Sequence, residues 1–252
     1  MLLVKKINYI IFFILFIFLL SSFDAAYAQK ISIDLGTDSH DTLFSNKMMQ
    51  FIGLVTILSI APSILIMVTS FTKIAVVLSI LRHAIGLQQT PPTSIIISLA
   101  LFLTFFIMAP TFHKSYEDGL FPLMNNSINE EKAWQNIAKP FHEFMLKNAR
   151  EKDLSLFSEI SKITVKSKEE MPFYVLIPSF MLSELKRAFE IGFLIYLPFL
   201  IIDILVASVL MAMGMMMLPP VMISLPFKLI FFVLVDGWYM LCGSLVKSYG
   251  IG

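Results

Sequence analysis

The sequence predicts an all-α, polytopic membrane protein made of two helical hairpins with a small polar helical domain between them. Composition is the first observation: 57% of the 252 residues are hydrophobic and the mean hydropathy is +0.81, above the usual about 45–50% apolar share of a soluble domain. The second is a set of four strongly apolar stretches, three of them bounded by prolines. The third is an amino terminus with the form of a secretory signal.

At that terminus, Lys5 and Lys6 precede an apolar run from Ile7 to Leu20, and Ala26-Tyr27-Ala28 puts small residues where signal peptidase needs them. The expected mature chain starts at Gln29. Residues 1–28 are therefore read as a cleavable signal peptide and 29–47, which carry Asp34, Gly36, Asp38 and Asp41, as a flexible extracytoplasmic arm.

Residues 48–110 are read as the first helical hairpin. Its first stretch, Met48 to Arg82, contains Pro62 and a polar interruption at Thr69, Ser70, Thr72 and Lys73, so it is either one kinked helix or two pieces. The second, Ile95 to Met108, lies between Pro91-Pro92 and Pro110 and alone is short for a span. Residues 187–252 are read as the second hairpin, with apolar stretches Ile191 to Leu218 and Val221 to Val246 meeting at Pro219-Pro220.

Residues 111–186 form the polar helical domain. Ser127 and Glu130 make a capping-box pattern ahead of a helical stripe of Trp134, Ile137, Phe141 and Met145, and a second short helix is expected from Asp153 to Ile163. Each hairpin returns the chain to the side on which it started, so an exported amino terminus puts this domain and the carboxyl terminus outside the cytoplasm. The positive-inside rule concerns short loops and does not bear on the lysines of this long one.

Charges inside apolar sequence are costly unless paired or wetted. Lys73, Asp203, Lys228 and Asp236 are such charges, and two readings are open: interhelical pairs that fix register, or an ion relay. In Ile177 to Glu190, Glu184 with Arg187 and Lys186 with Glu190 can pair along a helix surface, either as an interfacial collar or for subunit recognition. Gly214 with Met215, Met216 and Met217, ahead of Pro219-Pro220, is a cluster of soft, unbranched side chains. It reads equally as core packing or as a deformable apolar seal.

Other classes find little support. Net charge is +1, which gives no reason to expect a nucleic-acid partner. Cys242 is single and His40, His83, His113 and His142 are scattered, so no metal is assigned. No GxSxG, HExxH or Walker sequence is present, and neighbours such as Ile201-Ile202 supply nothing to activate an Asp203–Asp236 dyad. The chain is thus read as a non-enzyme without cofactors. A solute transporter would be favoured by repeated hairpins, and these two do not visibly repeat.

Three long motifs, Leu81-Arg82-His83-Ala84-Ile85-Gly86-Leu87-Gln88-Gln89-Thr90-Pro91-Pro92, the Pro178 to Phe189 segment, and Pro198-Phe199-Leu200-Ile201-Ile202-Asp203 through Met213 to Pro220, closely resemble the FliP family. These are the flagellar members of the type III secretion export-gate proteins. The resemblance covers about Met48 to Gly252. It implies a homo-oligomeric helical pore with FliQ and FliR at the flagellar basal body in the inner membrane, with FlhB and FlhA nearby. Unfolded flagellar proteins would pass through it, the polar domain would be periplasmic, and the hairpins would sit largely above the bilayer plane. It also implies that Met215, Met216 and Met217 line the pore constriction.

Overall fold

The computed structural model describes residues 41–87, 90–163, 167–215 and 218–250. The signal-peptide reading with Ala26 and Ala28, most of the arm, and Met216 and Met217 lie outside the described residues. Among the described residues the structure is helical throughout, with no strand. The helices are α1 (Asp41–Val68), α2 (Phe71–Ile85), α3 (Thr93–Ser115), α4 (Phe121–Met124), α5 (Glu130–Asn148), α6 (Glu151–Ile160), α7 (Phe173–Ala212), α8 (Pro220–Leu234) and α9 (Gly237–Lys247). The chain divides into two units, 1–56 and 57–252. Both hydrophobic cores and the ion pairs lie within the second.

Where the sequence left one kinked helix or two pieces, the structure has two: α1 runs through Pro62 and the chain breaks at Thr69-Ser70 before α2. Helix α1 begins at Asp41, inside the stretch read as the arm. Helix α2 stops at Gly86, whose φ of 91° needs no Cβ, with Gly86 N–H donating to His83 and Leu87 N–H to Arg82.

Proline proves a weaker punctuator than the sequence suggested. Pro110 does not end α3, which continues to Ser115 and then through a π-helical turn, Tyr116–Leu120, into α4. Helix α7 likewise opens at Phe173 and runs through Pro178 and Pro198 for 40 residues. A helix accepts an interior proline where the freed carbonyl and the kink are supported by neighbours or solvent. The apolar stretch from Val221 to Val246, conversely, is broken. Asp236 takes left-handed angles (φ 49°, ψ 53°), and α8 and α9 meet there at 61°.

Three helical stretches, 51–68, 93–124 and 173–212, are long and apolar enough to cross a membrane, or four if the bent α8–α9 pair is one span. Helices α7 and α8 form an antiparallel hairpin, and α2 lies beside α7 in the same direction: Thr72 meets Met181, Lys73 meets Glu184, and Ile80 meets Gly192. Their contact is close because Gly192 has no side chain. A Cβ there would lie 2.4 Å from Ile80 Cδ1.

Two cores result. One gathers α2, α3, α7, α8 and α9 around Ile74, Leu81, Ile107 and Phe199. The other gathers Met145, Leu154, Val175 and Phe180 from α5, α6 and the start of α7. Phe144 packs against both, 5.9 Å from Phe180 and 5.7 Å from Tyr249 between ring centroids. The polar region therefore shares its core with α7, which passes straight through the boundary read at 186. Helix α5 is capped by Asn129, which accepts from Lys132 N–H at 3.1 Å, and not by Ser127, whose hydroxyl turns to the Asn125 carbonyl. Trp134 of the expected stripe is 69% exposed, whereas Ala133 is buried. Helix α6 spans Glu151–Ile160 in place of 153–163. Gly119 of the π turn abuts α5, where its Cβ would meet Ile137 Cγ1 at 2.5 Å, and Ser115 donates to the Ile137 carbonyl beside it.

Candidate functional site

The interior charges gather at two places and leave one apart. On α7 and α8, Lys228 Nζ lies 2.6 Å from Asp203 Oδ2, and the Ser224 hydroxyl, one turn earlier on α8, donates to Oδ1 at 2.6 Å. Lys228 also donates to the Ala84 carbonyl at 3.0 Å, at the end of α2. A cation suits that position because the last carbonyls of a helix lack intrahelical partners and carry partial negative charge. One ammonium thus joins α2, α7 and α8. Asp236, by contrast, is exposed at the α8–α9 bend, so the two aspartates of the considered dyad have separate surroundings.

The second cluster is buried more deeply. Glu184 is fully buried, away from the helix surface that the collar reading expected, and its carboxylate faces Lys73 Nζ at 3.7 Å and Arg187 at 3.7 Å and accepts from the Tyr249 hydroxyl. The Lys73 ammonium stands 3.4 Å from the centroid of the Tyr249 ring, close enough for a cation–π contact. Arg187 is one-third exposed, and Lys186 and Glu190 pair at 3.3 Å on the outer side of α7.

A third polar joint, which the sequence reading missed, connects the polar region to α7. Arg150 grips Asp153 with two hydrogen bonds of 2.7 and 2.8 Å, and the Ser183 hydroxyl donates to the same carboxylate at 2.6 Å. Burial alone would raise the Asp153 carboxyl, but the bonds from Arg150 and Ser183 outweigh it and hold the group below its ordinary value. The i, i+3 spacing of Arg150 and Asp153 was legible. The contribution of Ser183, thirty positions on, was not.

At the mouth of the α7–α8 hairpin, Met213 ends the helix and Gly214 follows at φ 73°, with Gly214 N–H donating to Met211 and Met215 N–H to Leu210. A Cβ on Gly214 would meet nothing within 4 Å, so glycine is required there for its backbone angle and not for space. Pro219 and Pro220 start the return helix. Met211, Met213, Met215 and Met222 are all exposed, by 41–69%, and belong to neither core. Within this chain they do not serve as core packing. No group of histidine, cysteine or acidic residues suited to a metal occurs among the described residues.

The sequence pattern of the FliP family matches residues 54–245. The chain belongs to the FliP family. The flagellar biosynthetic protein FliP of Caulobacter vibrioides is 55% identical over 230 residues, covering 90% of this chain and 85% of that one. The protein of the same name from Agrobacterium fabrum is 52% identical over 227 residues, 89% of this chain and 93% of the other. That of Bacillus subtilis is 54% identical over 197 residues, 78% and 89% of the two chains. The segment shared with the FliP family contains both buried charge clusters except Tyr249, and the whole methionine mouth.

Proposed function

We propose that this chain is a core subunit of the flagellar protein export gate: several copies, with FliQ and FliR, form a closable pore in the inner membrane at the basal body through which unfolded flagellar proteins leave the cell. FlhB and FlhA are the expected neighbours, and the polar region faces the periplasm. Membership of the FliP family and the naming of its relatives as flagellar biosynthetic proteins support the biological setting. The observation that carries the mechanism is the exposed methionine mouth. A single chain leaves these thioethers without partners, and a ring of chains would bring them together around one axis. Unbranched methionine repacks around objects of varied shape, so such a ring seals against ions at rest and yields to a passing polypeptide. The reading requires no catalytic group. The buried ion pairs act in it as register pins that keep α2, α7 and α8 aligned while the mouth deforms.

Replacing Met215, Met216 and Met217 together by alanine tests it. The complex is expected to assemble and to conduct small ions when overproduced in a membrane, measured as salt sensitivity or single-channel conductance. An assembled triple variant as tight as wild type would place the seal elsewhere.

A further inference from the structure

Away from the methionine mouth, a cleft of about 340 Å³ opens where α2, the end of α5, α7 and the turn after α9 converge. It is far larger than one water needs. Three cations from three separate elements line it: Lys73 of α2, Lys147 of α5 and Arg187 of α7. Lys73 is 1% exposed and its ammonium has no hydrogen-bond acceptor, only the Glu184 carboxylate at 3.7 Å and the face of Tyr249. Burying an ammonium with its donors unused is costly, so the site is short of an acceptor. Lys147 is exposed and makes no ion pair among the described residues. Among the described residues, the carboxylates nearby are Glu184, shared by Lys73 and Arg187, and Glu190 at the lip, engaged by Lys186. Positive charge is therefore in excess. The hydroxyls on the wall are already committed as donors, Ser248 to the Leu245 carbonyl and Tyr249 to Glu184.

We infer that this cleft is a phosphate-binding site, in which Lys147 and Arg187 donate to the oxygens of a phosphate group and the buried Lys73 ammonium behind them adds positive charge. An ammonium and a guanidinium from separate helices give charge-assisted bonds to such an oxyanion, and bonds of this kind are the strong ones. The group is either the headgroup of an anionic lipid or free phosphate. Ile191, also on the wall, offers apolar surface to the ester side of a lipid. The site lies where the polar region meets the apolar helices. It stands independently of the gate reading.

The test uses the full chain purified in detergent and stripped of lipid. Phosphatidylglycerol, phosphatidylcholine and inorganic phosphate are each titrated, and native mass spectrometry and thermal unfolding are recorded for wild type, Lys147→Gln and Lys147→Arg. Lys147 is exposed and glutamine and arginine are comparable helix formers, so both variants are expected to fold. A preference for phosphatidylglycerol over phosphatidylcholine that falls about tenfold in Lys147→Gln and survives in Lys147→Arg supports the site with a lipid as its source. Protection by inorganic phosphate with the same dependence on Lys147, and no preference between the lipids, supports it with free phosphate as the source. Absence of both effects overturns the inference, as does either effect persisting unchanged in Lys147→Gln.

Discussion

Lys228 concentrates several roles in one atom. Its ammonium neutralises Asp203, supports the Ala84 carbonyl, and lies 4.0 Å from where a Cβ on Gly86 would be. Removing one member of such a pair leaves the other desolvated, whereas removing both removes the need for either. Lys228→Ala is therefore expected to lower stability by about 1–3 kcal/mol, below the value for a fully enclosed pair because Asp203 retains some exposure. Lys228→Met combined with Asp203→Leu should recover most of the loss. Thermal unfolding of the detergent-purified variants measures both, and a Lys228→Ala protein that melts with wild type would mean that water already solvates Asp203. The interior charges and their need for partners were legible from their positions inside apolar sequence. The partner of each was not, because Lys73 and Glu184 are separated by more than a hundred residues and meet only when α2 packs along α7.

Among the helices, what decides the packing is as often a missing side chain as a present one. Gly192 lets α2 approach α7 until Ile80 fills the space that a Cβ would occupy. Ile80 Cγ2 and Cβ would also lie 3.0 and 3.3 Å from that atom, so a rotamer change alone does not relieve the clash. Gly192→Ala is expected to destabilise by about 1–3 kcal/mol through overpacking, and Ile80→Ala in the same chain should restore much of it. A measured melting curve for Gly192→Ala equal to wild type would show that the two helices separate freely. A glycine in an apolar helical run gives no sign in the sequence of which neighbour it admits. Proline misled the sequence reading in the opposite way: Pro110, read as the boundary of an apolar helix, stands inside a continuous one, while the real break falls at Asp236, which has no helix-breaking neighbour except Gly237. There the reason is local packing, since a Cβ on Gly237 would lie 2.1 Å from the Phe232 ring.

As a whole molecule the chain is unfinished. Ile52, Leu58, Phe102, Phe189, Phe193, Leu205, Val233 and Leu234 are among many large apolar residues left exposed, far beyond the patches that a soluble monomer tolerates. Lipid covers part of such a surface. The proposed assembly requires that other copies cover the rest, and native mass spectrometry of the protein released from mild detergent should then yield a multimer. A chain that stays monomeric at every concentration and detergent would count against the pore. The sequence by itself determined the all-helical membrane class, the number of apolar stretches, the hairpin at Pro219-Pro220 and, through its long motifs, membership of the FliP family, because these depend on local hydropathy, turn chemistry and contiguous residues. Only the tertiary structure decided that α2 lies along α7, that the polar region shares its core with that helix, and that Lys73, Glu184 and Tyr249 form one buried cluster. Such contacts join residues far apart in the chain, and they follow from which helical faces fit together closely enough to exclude solvent.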